Sequence, residues 1–439
     1  MIKVAKFGGS SVAGAAQFKK VKAIMESDQS RRAAVISACG KRDPKDHKLT
    51  DLLYLCYAHM EYGVSCEDIA SQISERFLGI RKELDLDPSL DDEISNCFSS
   101  LSVDVSREWL VSRGEYFTSK LMAAYLGFTF VDAANCIFFD SDGEFDKEKS
   151  DKAIQNAFET HGNIVIPGFY GSLPNHKIRL RARGGSDITG SIVSAALHAD
   201  LYENWTDVSG ILMADPKIVT DPNPIPTLTY AELRELSFMG ASVLQEDSIL
   251  PVREAGIPLN IRNTNDPENP GSLIVERVTA EETDDDRFIT GIAGRKNFTV
   301  ISLQKRNLNV ADALRKVLQI LDRYHLSIEN ITLGLDSFSL IVATAAFENG
   351  EFEIIGEIRK ICQPDRLETQ DGISLVAAVG RKMTFRPGIS GRLFRALGDN
   401  GINIRTIAQG ADELSIIVGV QNKDFDTTIR VLYDGFVRT

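Results

Sequence analysis

The apolar positions near the amino terminus alternate between short strand-like runs and one longer stretch with helical spacing. Residues 2–7 form an apolar run, residues 17–26 place their apolar side chains on one helix face, and residues 33–38 are apolar again. A strand, a helix and a second strand in this order predict parallel strands that are covered by helices. We therefore expect an α/β fold whose open, mostly parallel sheet is sandwiched by helices.

Helical spacing dominates the next stretch, and strand-like runs return in the middle of the chain. Leu and Ile recur with helical spacing from residue 52 to about 126, and within this stretch we predict a turn at 112–115. Residues 164–166 predict a buried strand, and the glycine-rich stretch after them is expected to open a helix that ends near residue 197. Residues 201–205 predict a further strand.

A repeated pattern occupies the carboxyl-terminal part of the chain. Strands are predicted at 299–303 and 374–379, and each is followed by an amphipathic helix, at 311–324 and at 388–400. An acidic stretch at 281–286 precedes the repeat. We interpret this stretch as an interdomain linker, with a solvated helix end as the alternative.

Composition excludes several classes of protein. A chain of 439 residues is too long for one ordinary core, so two or three domains are expected. Its hydrophobic share of 43% and charged share of 25% indicate a soluble globular protein, and no apolar run approaches the ~18 to 20 residues of a membrane-spanning helix. A net charge of −13 argues against nucleic-acid binding. Because we see no secretion signal and no disulfide or zinc spacing among the six cysteines, we expect a cytoplasmic protein.

The first predicted strand ends in two glycines and two serines. Gly8 and Gly9 lack a Cβ, so the backbone there can adopt positive φ and bring its N–H groups close to a phosphate. Ser10 and Ser11 can cap the following helix, and Lys6 supplies a positive charge beside the same phosphates. The pattern predicts an anion-binding turn. It also fits an ordinary turn between a strand and a helix, and it lacks the spacing of the Walker motif.

A second glycine-rich turn follows the strand predicted at 164–166. Arg183 and two glycines stand directly before a predicted helix, so a cation, free N–H groups and the helix dipole converge on one spot. We interpret this turn as an oxyanion receptor. A capped helix start explains Ser186 and Asp187 equally well, but it does not explain Arg183 as readily.

Three acidic residues outside these turns are further candidates for ligand binding. Asp207 and Asp215 follow the strand predicted at 201–205, and they could meet a metal ion or a nucleotide ribose, although either could be a turn residue. Glu115 lies in the turn predicted at 112–115. The residues alone favour a solvated carboxylate at a helix cap for Glu115.

Three separated motifs together resemble those of the aspartate kinases of the amino-acid kinase superfamily. In chain order they are Lys6-Phe7-Gly8-Gly9-Ser10-Ser11, Arg183-Gly184-Gly185-Ser186-Asp187, and Thr206-Asp207-Val208 with Asp215-Pro216. The resemblance covers nearly the whole chain. It implies transfer of a phosphoryl group from ATP, with Mg²⁺, to the β-carboxylate of L-aspartate. The product would be 4-phospho-L-aspartate, and the reaction would be the first step of lysine, threonine and methionine biosynthesis.

The resemblance also implies a role for each candidate residue. Lys6 would lie against the transferring phosphate, and Asp187 would orient this lysine or the water shell of the metal, whose ligands remain unassigned. Glu115 would accept the α-ammonium of aspartate, and Arg183 would clamp its α-carboxylate. The residues expected to bind aspartate are Ser37, Thr50, Glu115, Phe169, Arg183 and Ser186. The residues expected to bind ATP are Lys6, Gly8, Gly9, Ser10, Thr206, Asp207, Asp215 and Lys217.

Four positions at the expected nucleotide end depart from the family pattern. Leu212 stands where a tyrosine is expected, and Lys217 stands where an arginine is usual. Ser242 and Gln245 also replace common residues of the family. The loss of an aromatic face and of a cation could weaken or reposition ATP, or the changes could mark a subfamily.

The carboxyl-terminal repeat resembles a pair of ACT domains, which sense amino acids and have a ferredoxin-like fold. The resemblance implies inhibition by lysine, threonine or both, in a homodimer or a dimer of dimers that pairs through the ACT sheets. Candidate effector contacts are Glu329, Asp336 and Ser337, with a plain surface turn as the alternative. A short segment before residue 299 could join the second ACT domain. The expected domains are residues 1–285 for the kinase, 286–365 for the first ACT domain and 366–439 for the second.

Two other functions fit part of the pattern. Because the ACT pair is complete while the nucleotide end is altered, the chain could be a catalytically weakened amino-acid sensor. Against this, the chain retains Lys6, Glu115, Arg183 and Asp187. It could also be a sister kinase that acts on glutamate, N-acetylglutamate or UMP, although such kinases generally lack paired ACT domains. Since the sequence ends at Thr439, we expect no appended homoserine dehydrogenase.

Overall fold

Strands and helices alternate through most of the chain. The structure is a computed structural model that describes residues 1–99, 101–102, 104–181, 184–241, 244, 246–278, 288–384 and 386–437. These residues form two units. The first consists of Met1–Ile211, Pro224–Tyr230 and Val243–Val278, and the second of Leu212–Asn223, Ala231–Ser242 and Thr279–Thr439. The domain boundaries expected from the sequence stay predictions. The acidic stretch at 281–286 lies outside the described residues.

An eight-stranded sheet forms the centre of the first unit. The strands before residue 279 are β1 (Lys3–Phe7), β2 (Arg31–Ile36), β3 (Thr129–Phe130), β4 (Ile164–Pro167), β5 (Tyr170–Ser172), β6 (Ile178–Leu180), β7 (Leu201–Thr206), β8 (Ile211–Leu212), β9 (Pro224–Ile225), β10 (Thr227–Thr229), β11 (Leu259–Asn263) and β12 (Ser272–Val275). Eight of them pair in the order β10-β12-β11-β7-β1-β2-β4-β3, and only the pair β11 and β12 is antiparallel. The predicted open, mostly parallel sheet is confirmed.

Helices pack on both faces of this sheet. Along β1, Ala5 and Phe7 point into a core shared with α1 to α5, whereas Val4 points into a core shared with α6 and α7. This alternation follows from the pleat of a strand, in which successive side chains point to opposite faces. The helices before residue 279 are α1 (Ala15–Glu26), α2 (Leu49–Glu61), α3 (Glu67–Glu83), α4 (Asp91–Ser99), α5 (Arg107–Leu126), α6 (Lys147–His161), α7 (Gly185–Ala196), α8 (Tyr230–Phe238) and α9 (Glu246–Glu254).

The turn predicted at 112–115 is wrong, because these residues lie inside α5. The glycine that suggested a turn serves close packing instead. A Cβ on Gly114 would lie 3.0 Å from the Cβ of Ala38 and 3.0 Å from a methyl carbon of Leu53. Glycine at this position lets α5 approach the chain just after β2, and a helix interior tolerates one glycine at a cost of about 1 kcal/mol.

The second unit is an antiparallel α+β structure, as the repeat predicts. Its sheet has the order β14-β15-β13-β16-β18-β17, and both β13 and β16 are long enough to serve the two copies of the repeat. Residues 298–304 of β13 pair with β15, and 291–295 pair with 375–379 of β16. The remaining elements are β13 (Gly291–Gln304), α10 (Val310–Arg323), β14 (Ile328–Leu333), β15 (Ser337–Ala343), α11 (Thr344–Phe347), α12 (Glu351–Cys362), β16 (Arg366–Val379), α13 (Ile389–Asp399), β17 (Thr406–Gln409), β18 (Ser415–Gln421) and α14 (Phe425–Val437).

A search of the described residues finds no helix with the length and apolar character needed to cross a bilayer.

A buried ion pair crosses the central strands of the first unit. Arg31 donates from Nε to Glu203 over 2.7 Å and from Nη2 over 3.1 Å, and the side chains of Arg31 and Glu203 are 6% and 1% exposed. Trp205 donates from its indole to the same carboxylate over 3.0 Å and stacks on Phe7 at 6.1 Å. The network fixes Trp205, whose carbonyl oxygen accepts a hydrogen bond from the N–H of Gly8.

We expect Glu203→Ala to lower the free energy of unfolding by about 3–5 kcal/mol, because it leaves the Arg31 guanidinium buried without its counter-charge. The double variant Arg31→Met, Glu203→Leu should lose less free energy of unfolding, because it removes the buried Arg31 charge and leaves only Arg262, 3.9 Å from Glu203 and 18% exposed, without this carboxylate. Urea unfolding of both variants measures the difference. The exposed pair of Lys152 and Glu148 provides the control, and Glu148→Ala should hardly change stability. A double variant that is less stable than Glu203→Ala would contradict this prediction.

Candidate active site

The two predicted catalytic residues meet at the carboxyl end of β1. Lys6 lies on the same face of β1 as Val4, toward α7, and only 6% of the residue is exposed. Its Nζ lies 2.5 Å from Oδ1 of Asp187, which stands in the first turn of α7. Because an unpaired ammonium is costly to bury, this ion pair fixes the lysine where a parallel sheet presents its ligand-binding edge.

An asparagine that the sequence analysis did not single out joins this pair. Asn204 lies opposite Lys6 on the neighbouring strand β7. Its Nδ2 donates to Oδ1 of Asp187 over 2.9 Å, and its Oδ1 accepts from Nζ of Lys6 over 3.4 Å. A signal was available, since a polar side chain in the middle of a buried strand requires a hydrogen-bonding partner.

The glycine turn after β1 is shaped by close backbone contacts. Gly8 has a φ of −70°, Gly9 starts a short 3-10 helix, and neither has positive φ, so that expectation is wrong. A Cβ on Gly9 would lie 2.9 Å from the carbonyl oxygen of Ala38, and one on Gly40 would lie 2.5 Å from the carbonyl carbon of Gly9. Glycine is needed here because the turns after β1 and β2 touch backbone to backbone. A Cβ on Gly8 would lie 3.5 Å from Nζ of Lys6, so this turn also borders the lysine.

The two serines of this turn do not cap a helix, contrary to expectation. Neither the 3-10 helix nor α1 has a side-chain cap, and α1 begins after Gly14. Ser11 instead donates to the carbonyl oxygen of Trp205 over 3.3 Å and accepts from the hydroxyl of Thr264 over 2.7 Å. Ser10 accepts at its carbonyl oxygen from the side chain of Gln17 over 3.1 Å. The serines therefore anchor the turn to the chain around it.

The turn after β4 packs tightly against the first turn of α7, a helix that the glycine-rich stretch correctly predicted. A Cβ on Gly168 would lie 2.5 Å from Oγ of Ser186, and one on Gly185 would lie 2.5 Å from the ring of Phe169. Gly184 precedes the helix with a φ of 78°, and Phe169 has a φ of 75°, which is unusual for a bulky residue. Such a conformation persists only where its surroundings enforce it, and it is common in ligand sites.

Glu115 is buried, so its expected place at a solvated helix cap is wrong. It lies in the interior of α5 with 4% exposure, and its Oε2 has no hydrogen-bond partner among the described residues. Burial raises the pKa of this carboxyl to about 8, although a hydrogen bond from the backbone of Ala38 opposes the shift. A buried carboxyl of this kind is suited to meet a cationic ligand group, because a cation would favour its charged form.

The remaining candidates for aspartate binding lie near the carboxyl end of β2. The N–H of Ser37, directly after β2, donates to the carbonyl oxygen of Phe7 over 3.1 Å. Thr50 lies in the first turn of α2, where the N–H of Leu49 donates to the carbonyl oxygen of Cys39 over 3.0 Å. Arg183 lies outside the described residues.

The candidates for nucleotide binding are divided between the two units. In the first unit, Thr206 ends β7 and donates from its hydroxyl to Asp207 over 3.1 Å. In the second unit, Asp215 accepts at Oδ1 from the N–H of Lys217 over 2.9 Å, which is the geometry of an Asx turn. Among the altered positions, Leu212 is partly exposed, whereas Ser242 and Gln245 lie outside the described residues.

The cluster in the first unit is suited to anionic ligands with a cationic group. The Lys6 ammonium and the amide groups of the α7 terminus suit an anion. The Glu115 carboxyl, which accepts a hydrogen bond from Ala38 just after β2, suits a cationic group. No three His, Cys, Asp or Glu side chains of the described chain are grouped so that they could hold a metal ion.

Comparisons with known proteins identify the families to which parts of the chain are similar. The model of the amino acid kinase family matches residues 1–263, and an ACT domain model matches residues 376–436. Aspartokinase 3 of Bacillus subtilis is 33% identical to this chain over 451 residues, which cover 99% of this chain and 98% of that protein.

The chain is also similar to solved structures of aspartate kinases. The aspartate kinase of Clostridium acetobutylicum, described as an allosteric enzyme, matches with a TM-score of 0.90 and 45% identity over 100% of both chains. Aspartokinase III of Escherichia coli, solved with aspartate and ADP, matches with a TM-score of 0.76 and 25% identity over 99% of both chains. Its structure with lysine and aspartate gives a TM-score of 0.75.

We expect Glu115→Gln to stabilise the unliganded protein at pH 8 and to have little effect at pH 4.5. Between these pH values the unfolded chain loses the Glu115 proton while the folded chain keeps it, so wild-type stability falls as pH rises. Because glutamine does not titrate, the free energy of unfolding of the variant at pH 8 should exceed that of the wild type by on the order of 3 kcal/mol. Chemical unfolding across this pH range measures the gain. Glu108→Gln, on the surface of the same helix, is the control, and a pH-independent gain in Glu115→Gln would contradict the assignment.

Proposed function

This chain belongs to the amino acid kinase family, and we propose that it binds its substrates at the edge formed by β1, β2, β4 and α7. Its activity is that of an aspartate kinase, a phosphotransferase, with allosteric regulation through its ACT region. The observation that carries the proposed site is the ion pair of Lys6 and Asp187 at the glycine turns of β1 and β2. The chain matches the aspartate kinases compared above over almost their whole length. This match disfavours a sensor or a sister kinase.

The reaction needs no general base. The side-chain carboxylate of aspartate has an ordinary pKa near ~3.9, so it is already ionised at neutral pH and can attack the terminal phosphorus of ATP. The carboxylate oxygen forms the new bond to phosphorus, and ADP leaves with the electrons of the broken bond. The protein must bring two anions together and stabilise the charge on the transferring group.

Lys6 is the residue best suited to that task. Its ammonium is held by Asp187 and borders the turn of Gly8, so it can donate to a phosphate oxygen. The first turn of α7 adds N–H groups and the positive end of the helix dipole. Gly8, Gly9 and Ser10 would wrap the phosphates. Close backbone packing around Gly9 keeps this turn in a fixed shape.

The amino-acid end of aspartate would lie beside Glu115. A buried carboxyl whose Oε2 has no hydrogen-bond partner in the described part of the chain gains a counter-charge when it accepts the α-ammonium. We propose that Arg183 clamps the α-carboxylate in the bidentate geometry that arginine favours. Thr50, Phe169 and Ser186 would shape the pocket, and Ser37 would lie between the substrates.

ATP and its metal complete the proposed site. Thr206, Asp207, Asp215 and Lys217 are proposed to contact the nucleotide. Mg²⁺ commonly binds through one or two carboxylates and the substrate phosphates, so the carboxylate of Asp187 fits a role toward its water shell. When bound, Mg²⁺ neutralises charge on the phosphate oxygens. We also propose a cytoplasmic location, where ATP is available.

The ACT region supports a proposal for the regulatory ligand and the oligomer. Glu329, near the start of β14, forms an ion pair with Arg295 and is largely buried, whereas Asp336 and Ser337 lie at the far end of this strand, in the turn to β15 and at the start of β15. We propose that lysine, threonine or both bind here. β14 is an edge strand with exposed Leu333, which suits pairing with a second copy in a homodimer or a dimer of dimers.

We expect Lys6→Met to lower kcat by about 100-fold to 1000-fold, since it removes a donor that acts on the transferring group. Arg183→Ala should act mainly by raising the KM for aspartate. Coupled measurement of ADP release at varied aspartate and ATP separates the two effects. Lys3→Met provides the control, because Lys3 lies on the same strand and pairs with Asp28. Near-normal kinetics in Lys6→Met would contradict the assignment of this lysine.

We expect lysine, threonine or both to inhibit the wild-type chain, and Glu329→Gln to raise the inhibitory concentration about tenfold. The loss of the Glu329 charge removes both a partner of Arg295 and a counter-charge for an effector ammonium. Inhibition curves together with sedimentation measure the effect, and Glu348→Gln, an exposed acid of the same unit, is the control. A chain that is monomeric at micromolar concentration and insensitive to both amino acids would refute the regulatory proposal.

A further inference from the structure

Asn204 touches both members of the ion pair at the proposed site. It is 3% exposed, and the alternation of β7 turns Tyr202 and Asn204 toward α7. The register of β1 against β7 sets Asn204 directly opposite Lys6, so the contact follows from the sheet. The amide donates to Asp187 over 2.9 Å and accepts from Lys6 over 3.4 Å.

The primary amide is chemically matched to this position. An ammonium only donates hydrogen bonds and a carboxylate only accepts them, so a side chain between them needs an acceptor on one side and a donor on the other. Asn204 supplies both from one planar group. With the amide turned over, its NH₂ would face the ammonium and its oxygen would face the carboxylate, and both contacts would be repulsive.

We propose that Asn204 is a positioning residue for phosphoryl transfer, which holds the Lys6 ammonium and the Asp187 carboxylate in the orientation that the reaction needs. This inference rests on the proposed function of Lys6. The amide oxygen accepts one hydrogen bond from the ammonium, which keeps its positive charge. Preorganised donors of this kind act on the transition state, so the effect belongs in kcat.

The first test is Asn204→Leu, which keeps the approximate size of the side chain and removes both hydrogen bonds. We expect kcat to fall about 30-fold, because hydrogen bonds to charged groups are lost, while the KM for aspartate changes less than about twofold. Asn260→Leu on the adjoining strand β11 is the matched control and should keep kcat within about twofold. Circular dichroism and ADP titration on the same samples verify folding and nucleotide binding.

The second test, Asn204→Asp, measures a pH dependence of kcat that a purely structural role of Asn204 would not produce. An ionised carboxyl at this position repels Asp187, whereas its protonated form regains an O–H donor toward Asp187. The ratio of variant kcat to wild-type kcat should therefore rise as pH falls from 8 to 6. Among the residues that the structure describes, the titratable groups that face this position are Lys6 from β1, Asp187 from α7 and the hydroxyl of Tyr202, which donates to the carbonyl oxygen of Asp187. The β11 neighbour, Ile261, is apolar.

The outcomes separate this inference from the function on which it rests. A wild-type chain that does not phosphorylate aspartate would overturn both. An active wild type, with kcat unchanged in Asn204→Leu or a pH-independent ratio in Asn204→Asp, would overturn the role of Asn204 alone. If Asn204→Leu does not fold, the pH dependence of Asn204→Asp decides the question.

Discussion

The burial of one lysine ammonium at the edge of a parallel sheet constrains the rest of the first unit. Lys6 is compensated by an acid from α7 and by an amide from β7, so a helix and two strands must meet at one point. A slip of β1 by one residue would turn Lys6 into the opposite core, beside Trp205, and would turn Phe7 out of that core. The ion pair therefore helps to specify the register of the sheet, in addition to its proposed chemical role.

The second constraint is the close approach of the turns that follow β1 and β2. The N–H of Gly40 donates to the carbonyl oxygen of Gly9 over 2.7 Å, and a Cβ on either glycine would clash with backbone. Arg76 of α3, 6% exposed, braces both turns by donating to the carbonyl oxygens of Ala13, Gly40 and His47. Three backbone acceptors on one guanidinium leave these turns little freedom, which suits a site that must hold phosphates in a fixed geometry.

Local patterns in the sequence were sufficient for the elements, but not for the partners that lie far apart in the chain. The apolar runs predicted β1, β2, β4 and β7, and the glycine-rich stretch predicted α7, because each depends on nearby residues. The turn predicted around Gly114 is wrong because the packing partners of this glycine come from other segments. The contacts of Asn204 and Arg76 also come from other segments, although a polar residue inside the buried strand β7 indicates that Asn204 has a hydrogen-bonding partner. The pairing of Lys6 with Asp187 came from the family resemblance, because no spacing rule joins residues 181 positions apart in the chain.

Of the two principal ionisable groups of the proposed site, Lys6 has a counter-charge and Glu115 has none among the described residues. This difference affects which ligands the site accepts. Lys6 is charged and compensated before any ligand arrives, so an incoming phosphate meets a preset ammonium. Glu115 forms no ion pair with any described residue, and burial raises its pKa to about 8, so at neutral pH this carboxyl is mostly protonated until a cation approaches. A ligand with an ammonium group restores the carboxylate and recovers the cost of burial, whereas a dicarboxylate without one cannot. Under the proposed binding of the α-ammonium by Glu115, selection for an amino acid over a plain dicarboxylic acid follows from the burial of a single carboxyl.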